Sequence, residues 1–245
     1  MTSTTGNEGR LGNQIIRNLA VSLLAEKHNL KVDYYNKDLI DNKLGIKLFS
    51  GINSYDSIQY LRENNYWTIY NMDEINFDLN PNENWFQTKE ITNMIYNYIH
   101  KDEIKSNIID NNPFKERYTK NNDLFIHIRL TDAEQWNPGI TYYINAIKNL
   151  SFDDLYISTD DKDNNMVKEV LNLYPSSQLI NFDEITTFQF ASTCKHIILS
   201  HGSFSAVIGY LSFFSNVYYP EYEPPKIWYG DMFSIDNWIK IKKQC

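Results

Sequence analysis

The chain is short of cysteine, of clustered positive charge and of long apolar runs, and each shortage removes a class of protein. Only Cys194 and Cys245 occur. Two thiols cannot build a disulfide framework or a cysteine-rich zinc site, so the chain reads as intracellular or facing the cytoplasm. Lysine and arginine number 23 against 31 aspartate and glutamate, a formal net charge of −8. Bulk binding to nucleic acid or to an anionic membrane needs the opposite balance. A small anion held by a few local cations remains compatible with it. The opening residues contain no apolar core, so no signal peptide is visible. The most apolar stretch, Ala206 to Tyr219, is too short and too rich in serine to span a bilayer.

What is present is enough for a sizeable core. The chain has 245 residues, 42% of them hydrophobic and 15% aromatic, which suits one large domain or two compact ones. Asparagine, isoleucine, lysine and tyrosine are abundant, as in proteins from AT-rich genomes. The expected setting is the cytoplasm of a bacterium or of a cell infected by a large DNA virus.

One stretch organises the rest, Asp123-Leu124-Phe125-Ile126-His127-Ile128-Arg129-Leu130-Thr131-Asp132. It starts as a buried strand of β-forming residues and ends in polar chemistry. His127 and Arg129 stand two positions apart and therefore share a face. Donors at the C-terminal end of a strand suit an anion bound at the edge of an open α/β sheet. The guanidinium fork matches phosphate oxygens. The plainer reading pairs Arg129 with Asp132 or another carboxylate and leaves His127 bonded to backbone.

Thr2 to Thr5 reads as a short strand, followed by Gly6, Gly9 and Gly12 in Gly6-Asn7-Glu8-Gly9-Arg10-Leu11-Gly12-Asn13-Gln14. Ile15, Ile16, Leu19, Ala20, Leu23 and Leu24 then recur at helical spacing, and Leu30, Val32 and Tyr34 alternate as a strand. This is a βαβ opening whose helix N-terminus offers free N–H groups. The loop is neither G-x-G-x-x-G nor a P-loop, which needs a lysine. Its G-x-x-G also occurs in KH modules, which the acidic chain disfavours, and a plain glycine turn would serve as well. Ile58 to Leu61 reads as a short helix and Tyr66 to Tyr70 as a strand. Ile91, Met94, Ile95, Tyr98 and Ile99 form another helical stripe.

A polar, proline-punctuated stretch at 111–122 separates an N-terminal domain, 1–120, from a C-terminal domain, 121–245. The second half alternates strand and helix, with a closing helix expected over Ile235 to Lys243. That alternation predicts a mostly parallel sheet covered on both faces. Three polar groups follow three of its strands: Arg129 with Thr131 and Asp132, Thr159 with Asp160 and Asp161, and His201 with Gly202, Ser203 and Ser205. At one edge of a parallel sheet they would line one crevice. Asp160-Asp161 could instead cap the next helix. The pair could hold Mg²⁺, but no third carboxylate stands at a fixed spacing, so no metal is assigned. Ser203 and Ser205 could cap the Ala206 helix, and Phe204 reads as core. A serine hydrolase is poorly supported, because Gly202-Ser203-Phe204-Ser205-Ala206 lacks the second glycine of G-x-S-x-G.

Taken together these blocks resemble the α-1,2-fucosyltransferase family and, more loosely, the α-1,6- and protein O-fucosyltransferases. Gly9-Arg10-Leu11-Gly12-Asn13-Gln14 is similar to the family's G-x-L-G-N-Q loop, and Trp85-Phe86-Gln87-Thr88-Lys89 to its F-Q-S motif. His127-Ile128-Arg129-Leu130-Thr131-Asp132 is similar to H-x-R-R-G-D. The blocks Tyr142 to Ile147, Tyr156 to Asp161 and Cys194 to Ser205 follow in family order. The resemblance implies a GT-B fold of two Rossmann-like domains with mostly parallel sheets, 1–120 serving the acceptor and 121–245 the nucleotide sugar. It implies metal-independent, inverting transfer of fucose from GDP-fucose to a glycan hydroxyl, with no cofactor. Arg129, holding the pyrophosphate, and Asn13 would carry catalysis. Arg10, Gly12, His127, Thr131, Asp132, Thr159, Asp160, Asp161, Ser203, Phe204 and Ser205 would bind the donor. Two departures stand out. The family's second arginine is Leu130 here, and its Trp-Trp-Gly after S-F-S is Ala206-Val207-Ile208.

Overall fold

The computed structural model describes residues 1–5, 9–82, 84–222 and 231–242. Gly6 and Cys245 lie outside the described residues. The protein is mixed α/β with parallel sheets throughout, and it divides into two compact units, Met1–Asn111 and Asn112–Cys245.

In the first unit, β1 (Thr2–Ser3) pairs in parallel with β2 (Val32–Asp33), and α1 (Leu11–His28) runs between them. The apolar stripe of α1 is buried along its length, with Ile15, Leu19, Ala20 and Leu24 fully enclosed. Asn29 ends the helix in the left-handed region at φ 54°, a conformation asparagine tolerates. A second parallel pair joins β3 (Ile58–Tyr60) to β4 (Asp78–Asn80). The Thr2 hydroxyl connects the pairs, donating to Asp78 Oδ1 at 3.2 Å and accepting the Leu79 N–H at 2.9 Å.

Two expectations reverse here. Ile58 to Leu61 is not a helix but strand β3, because its backbone is claimed by β4, distant in sequence. Tyr66–Tyr70 is not a strand but helix α2. Its residues favour strands by propensity, yet Tyr66 and Ile69 fall on one helical face and are both buried. The Tyr66 hydroxyl also donates to Ala20 O at 2.8 Å. Tertiary burial outweighs local preference. Helices α3 (Lys89–Ile99) and α4 (Asp102–Asn111) complete the unit, and the Thr88 side chain caps α3.

The second unit is built on one six-stranded parallel sheet. Its strands are β5 (Leu124–Ile128), β6 (Leu155–Thr159), β7 (Gln178–Leu179), β8 (His196–Ile198), β9 (Asn216–Pro220) and β10 (Ile239–Ile241). The spatial order is β10-β9-β8-β5-β6-β7. The chain lays down β5, β6 and β7 in one direction, then returns to place β8 on the other side of β5. Between β5 and β8 the connections therefore diverge.

Every residue of β5 is buried, as a central strand covered on both faces requires. Leu124, Ile126 and Ile128 pack with Tyr142, Tyr143 and Ala146 of α5 (Ile140–Ile147) and with Val167 and Val170 of α6 (Asn165–Leu173). On the opposite face are α7 (Glu184–Ala191) and α8 (Gly202–Tyr210), whose Phe188 and Phe204 stack at 4.3 Å.

The expected closing helix over Ile235 to Lys243 is replaced, within the described residues, by strand β10 paired to β9. Trp238 anchors that segment against Gly209, where an added Cβ would lie 2.4 Å from the indole. The packed indole and the open edge of β9 together favour an extended chain.

Candidate functional site

The site grows from the ends of three neighbouring strands in the second unit. β5 stops at Ile128, and Arg129 donates its backbone N–H to Ser200 Oγ, just past β8, at 3.1 Å. The next two residues turn toward β6. Leu130 donates its N–H to Asp160 Oδ1 at 2.7 Å, and the Thr131 hydroxyl donates to Asp160 Oδ2 at 2.6 Å. Thr131 sits at φ 32°, a conformation that only surrounding bonds sustain. Asp160 thus fixes the turn that aims Arg129.

The Arg129 side chain is 15% exposed, and its Nη2 donates to Asp132 Oδ1 at 2.8 Å. Its Nε is buried without a hydrogen-bond acceptor, 4.0 Å from Asp160 Oδ2. Burial alone would raise the Asp160 carboxyl. The Thr131 hydroxyl, the Leu130 N–H and the Arg129 charge outweigh it and hold the group below the ordinary aspartate value. Asp160 is therefore an anion at neutral pH, already engaged by the turn.

Beneath Arg129 lies a chain of buried hydroxyls. Ser200 Oγ also accepts from the Tyr143 hydroxyl at 2.8 Å, while the Ser200 N–H donates to Ser205 Oγ at 3.0 Å. Ser205 Oγ is 2.6 Å from His127 Nδ1. His127 is 5% exposed, and burial pushes its pKa down to about 3. A neutral imidazole at this depth supports the Ser205–Ser200 link and lies against Phe204 at 5.1 Å.

Helix α8 opens at Gly202, with His201 as its N-cap residue and no side-chain cap. Gly202 has φ 85°, and a Cβ built there would meet nothing within 4 Å. Space is therefore open at Gly202, and Ser203 beside it is half-buried. Unpaired N–H groups and the positive end of the helix dipole make such a turn receptive to anions.

Several residues fall elsewhere than expected. Ser203 and Ser205 do not cap a helix starting at Ala206, because both lie inside α8, and Ser205 is fully buried. Asp160 and Asp161 do not cap α6, whose N-cap is Asn164. Asp161 instead belongs to a local turn, donating its N–H to Thr159 Oγ1 and accepting from Asp163 N. Phe204 is half-buried and stacked rather than enclosed. Arg129, Thr131, Asp132 and Asp160 are joined by bonds, whereas His127 and Ser205 support them from below. Ser200, Tyr143 and Asn137 were not singled out by sequence. Asn137 Nδ2 donates to Arg129 O at 2.7 Å. The signal for Ser200 is its place two residues after β8.

In the first unit, two of the sequence blocks meet. Gln87 Nε2 donates to Asn13 Oδ1 at 2.9 Å. Gly9 has φ 104°, and an added Cβ would lie 2.7 Å from the Trp85 ring. Only glycine fits there. Gln14 Nε2 bonds Gly9 O at 2.6 Å. Arg10 is the exposed N-cap residue of α1, and Gly12 is buried in its first turn. Arg17 is buried with its guanidinium 5.1 Å from the Trp85 ring centre.

No protein-family model matches the chain, and no curated protein does. Solved structures of a fucosyltransferase are similar to it. NodZ α-1,6-fucosyltransferase soaked with GDP-fucose is 16% identical, with a TM-score of 0.34, over 56% of this chain and 51% of that one. Fucosyltransferase NodZ from Bradyrhizobium is 15% identical, with a TM-score of 0.35, over 58% and 53%. The chain spans about half the length of these structures. Among the described residues no helix is long and apolar enough to cross a membrane, and no group of three acidic, histidine or cysteine side chains could hold a metal ion.

Proposed function

We propose that the protein is a glycosyltransferase that moves fucose from GDP-fucose to a sugar hydroxyl with inversion and without metal. The observation that carries this reading is the Arg129 guanidinium just past the C-terminal end of β5, on a backbone bonded to Ser200 two residues before α8 begins. In such a transfer the leaving group is a diphosphate, and negative charge grows on its oxygens. A fixed guanidinium and helix N–H groups stabilise that charge with little reorganisation, each preorganised donor typically contributing about 2.7–4 kcal/mol. The order of the six sequence blocks supports GDP-fucose as donor and an α-1,2 linkage to a glycan. The two units are proposed as the two Rossmann-like halves of a GT-B enzyme. In the first unit Asn13, Arg10 and Gly12 are assigned to donor contact and catalysis. In the second, Thr131, Thr159, Asp161, Ser203 and Phe204 are assigned to the donor, Asp132 is the counter-ion that the diphosphate displaces from Arg129, and His127, Asp160 and Ser205 act through the turn and the hydroxyl chain.

Leu130 favours a second reading, the same chemistry with another nucleoside diphosphate sugar. It is fully buried in the apolar cluster of β5 and α5, so this position supplies no second charge to the donor.

A thermal-shift series with GDP, UDP, dTDP and their sugars, with and without divalent metal, tests both readings. Stabilisation by GDP and GDP-fucose in the absence of metal is the expected result. A preference for UDP or dTDP selects the second reading. For catalysis, Arg129→Ala is expected to lower transfer and donor hydrolysis by at least about 10²-fold with the fold intact. Near-normal turnover in that variant removes Arg129 from the mechanism.

A further inference from the structure

We infer that β3 is a self-pairing edge, and that two copies of this chain join through it as an antiparallel, two-fold symmetric pair centred on Gln59.

The inference starts from the direction of the backbone bonds. Ser57 O accepts from Asp78 N at 2.8 Å, and Leu61 N donates to Asn80 O at 2.8 Å. Together with the register Ile58↔Asp78 and Tyr60↔Asn80, this commits the odd-numbered residues to β4. The N–H and C=O groups of Ile58 and Tyr60 therefore point away from the ladder, along an edge that no other described strand covers. Their side chains share one face, and they are 64% and 61% exposed. An edge strand with open main chain and apolar exposed side chains is a template for another strand.

Charge selects both the partner and the register. Asp56 and Arg62 flank the strand, both exposed. The Arg62 guanidinium lies 5.9 Å from the Tyr60 ring centre, which places it on the face of Ile58 and Tyr60. In a two-fold pairing about Gln59, Ile58 faces Tyr60 of the second copy and Asp56 faces Arg62, twice over. A centre on Tyr60 sets Asp56 against the neutral Asn64 and Arg62 against Ile58. A centre on Ile58 leaves Asp56 facing Tyr60. Opposite charges directly across a ladder stabilise it, and of the three registers only the Gln59 centre brings them together. Such an interface is isologous, as closed homodimers require.

Asn65 occupies one end of the edge. Its Nδ2 donates to Tyr60 O at 2.9 Å and its Oδ1 accepts from Arg62 N at 2.7 Å. The pairing uses the main chains of Ile58 and Tyr60 alone, and the Tyr60 carbonyl keeps a second lone pair for it. The strand is short, so the dimer is a weak one.

Sedimentation velocity of the full chain across the micromolar-to-millimolar range tests the inference. Wild type is expected to pass from monomer to dimer. Asp56→Arg and Arg62→Asp each set like charges across the ladder and are expected to weaken association by about tenfold, and the double swap D56R/R62D to restore it to within about threefold. Ile58→Pro removes an outward N–H while sparing the ladder to β4, and should weaken the dimer as well. A chain that stays monomeric throughout, or a dimer indifferent to these substitutions, overturns the inference. None of these positions lies in the proposed donor site, so an unchanged GDP shift in the variants verifies that they fold.

Discussion

Arg129 donates to Asp132 at 2.8 Å, and the acid is by far the more exposed partner, 57% against 15%. A buried-side guanidinium bonded to a solvent-facing carboxylate holds a counter-ion that can be exchanged. An incoming phosphate offers the same oxygen geometry with more charge.

Asp132→Asn should therefore tighten binding of GDP rather than weaken it. An exposed ion pair contributes roughly 0.2–1 kcal/mol, so the dissociation constant is expected to fall by about 1.4- to fivefold. Isothermal titration at fixed ionic strength reads this directly. Unchanged or weaker binding would mean that Asp132 orients the guanidinium instead of occupying its ligand position.

Asp160 is expected to matter for folding as well as for binding. Asp160→Ala leaves the buried Leu130 N–H without its acceptor and frees Thr131 from its positive-φ turn. The expected loss is about 1–3 kcal/mol in urea denaturation. Asp160→Asn keeps an acceptor for Leu130 and should lose less. Equal losses in the two variants would count against the turn being what Asp160 holds.

The buried His127 predicts an acid-sensitive fold. Its pKa lies near 3 in the folded chain, pushed down from 6.5 chiefly by burial. As pH falls below 6.5 the unfolded chain takes up this proton and the folded one does not. The contribution is thus full above 6.5 and declines toward pH 3, with a slope approaching about 1.4 kcal/mol per pH unit. His127→Asn should flatten the stability profile between about pH 4 and pH 6 by about one proton. A profile as steep as wild type would assign that uptake to other groups, such as His28 and His196, whose pKa values burial also lowers.

In the first unit, Gly9→Ala should destabilise the protein by about 1–3 kcal/mol. The new methyl group meets the Trp85 ring at 2.7 Å, in a backbone conformation with φ 104° that alanine resists. Chemical denaturation of the variant measures it. A loss within experimental error would show that Trp85 yields.

The sequence made β5 legible because a continuous run of β-formers is bounded by polar residues at both ends. The polar clusters after β5, β6 and β8 were legible for the same reason. Which bonds join those clusters was not. The Asp160 bonds to Leu130 and Thr131 depend on β6 lying beside β5, and the Ser200 bond to Arg129 on β8 lying at its other side. Strand order is a long-range property that no local spacing carries. The reversals at β3, α2 and β10 have the same origin. In each, a partner distant in sequence decides between helix and strand, as Ala20 does for Tyr66 and Gly209 for Trp238.

The divergence of the chain between β5 and β8 has an evolutionary consequence. The seam follows from how the sheet is wound, so maintaining it requires no particular side chain. Residues beside it are free to change while the seam survives. A descendant of this protein could replace every polar residue there and still inherit the same path of the backbone.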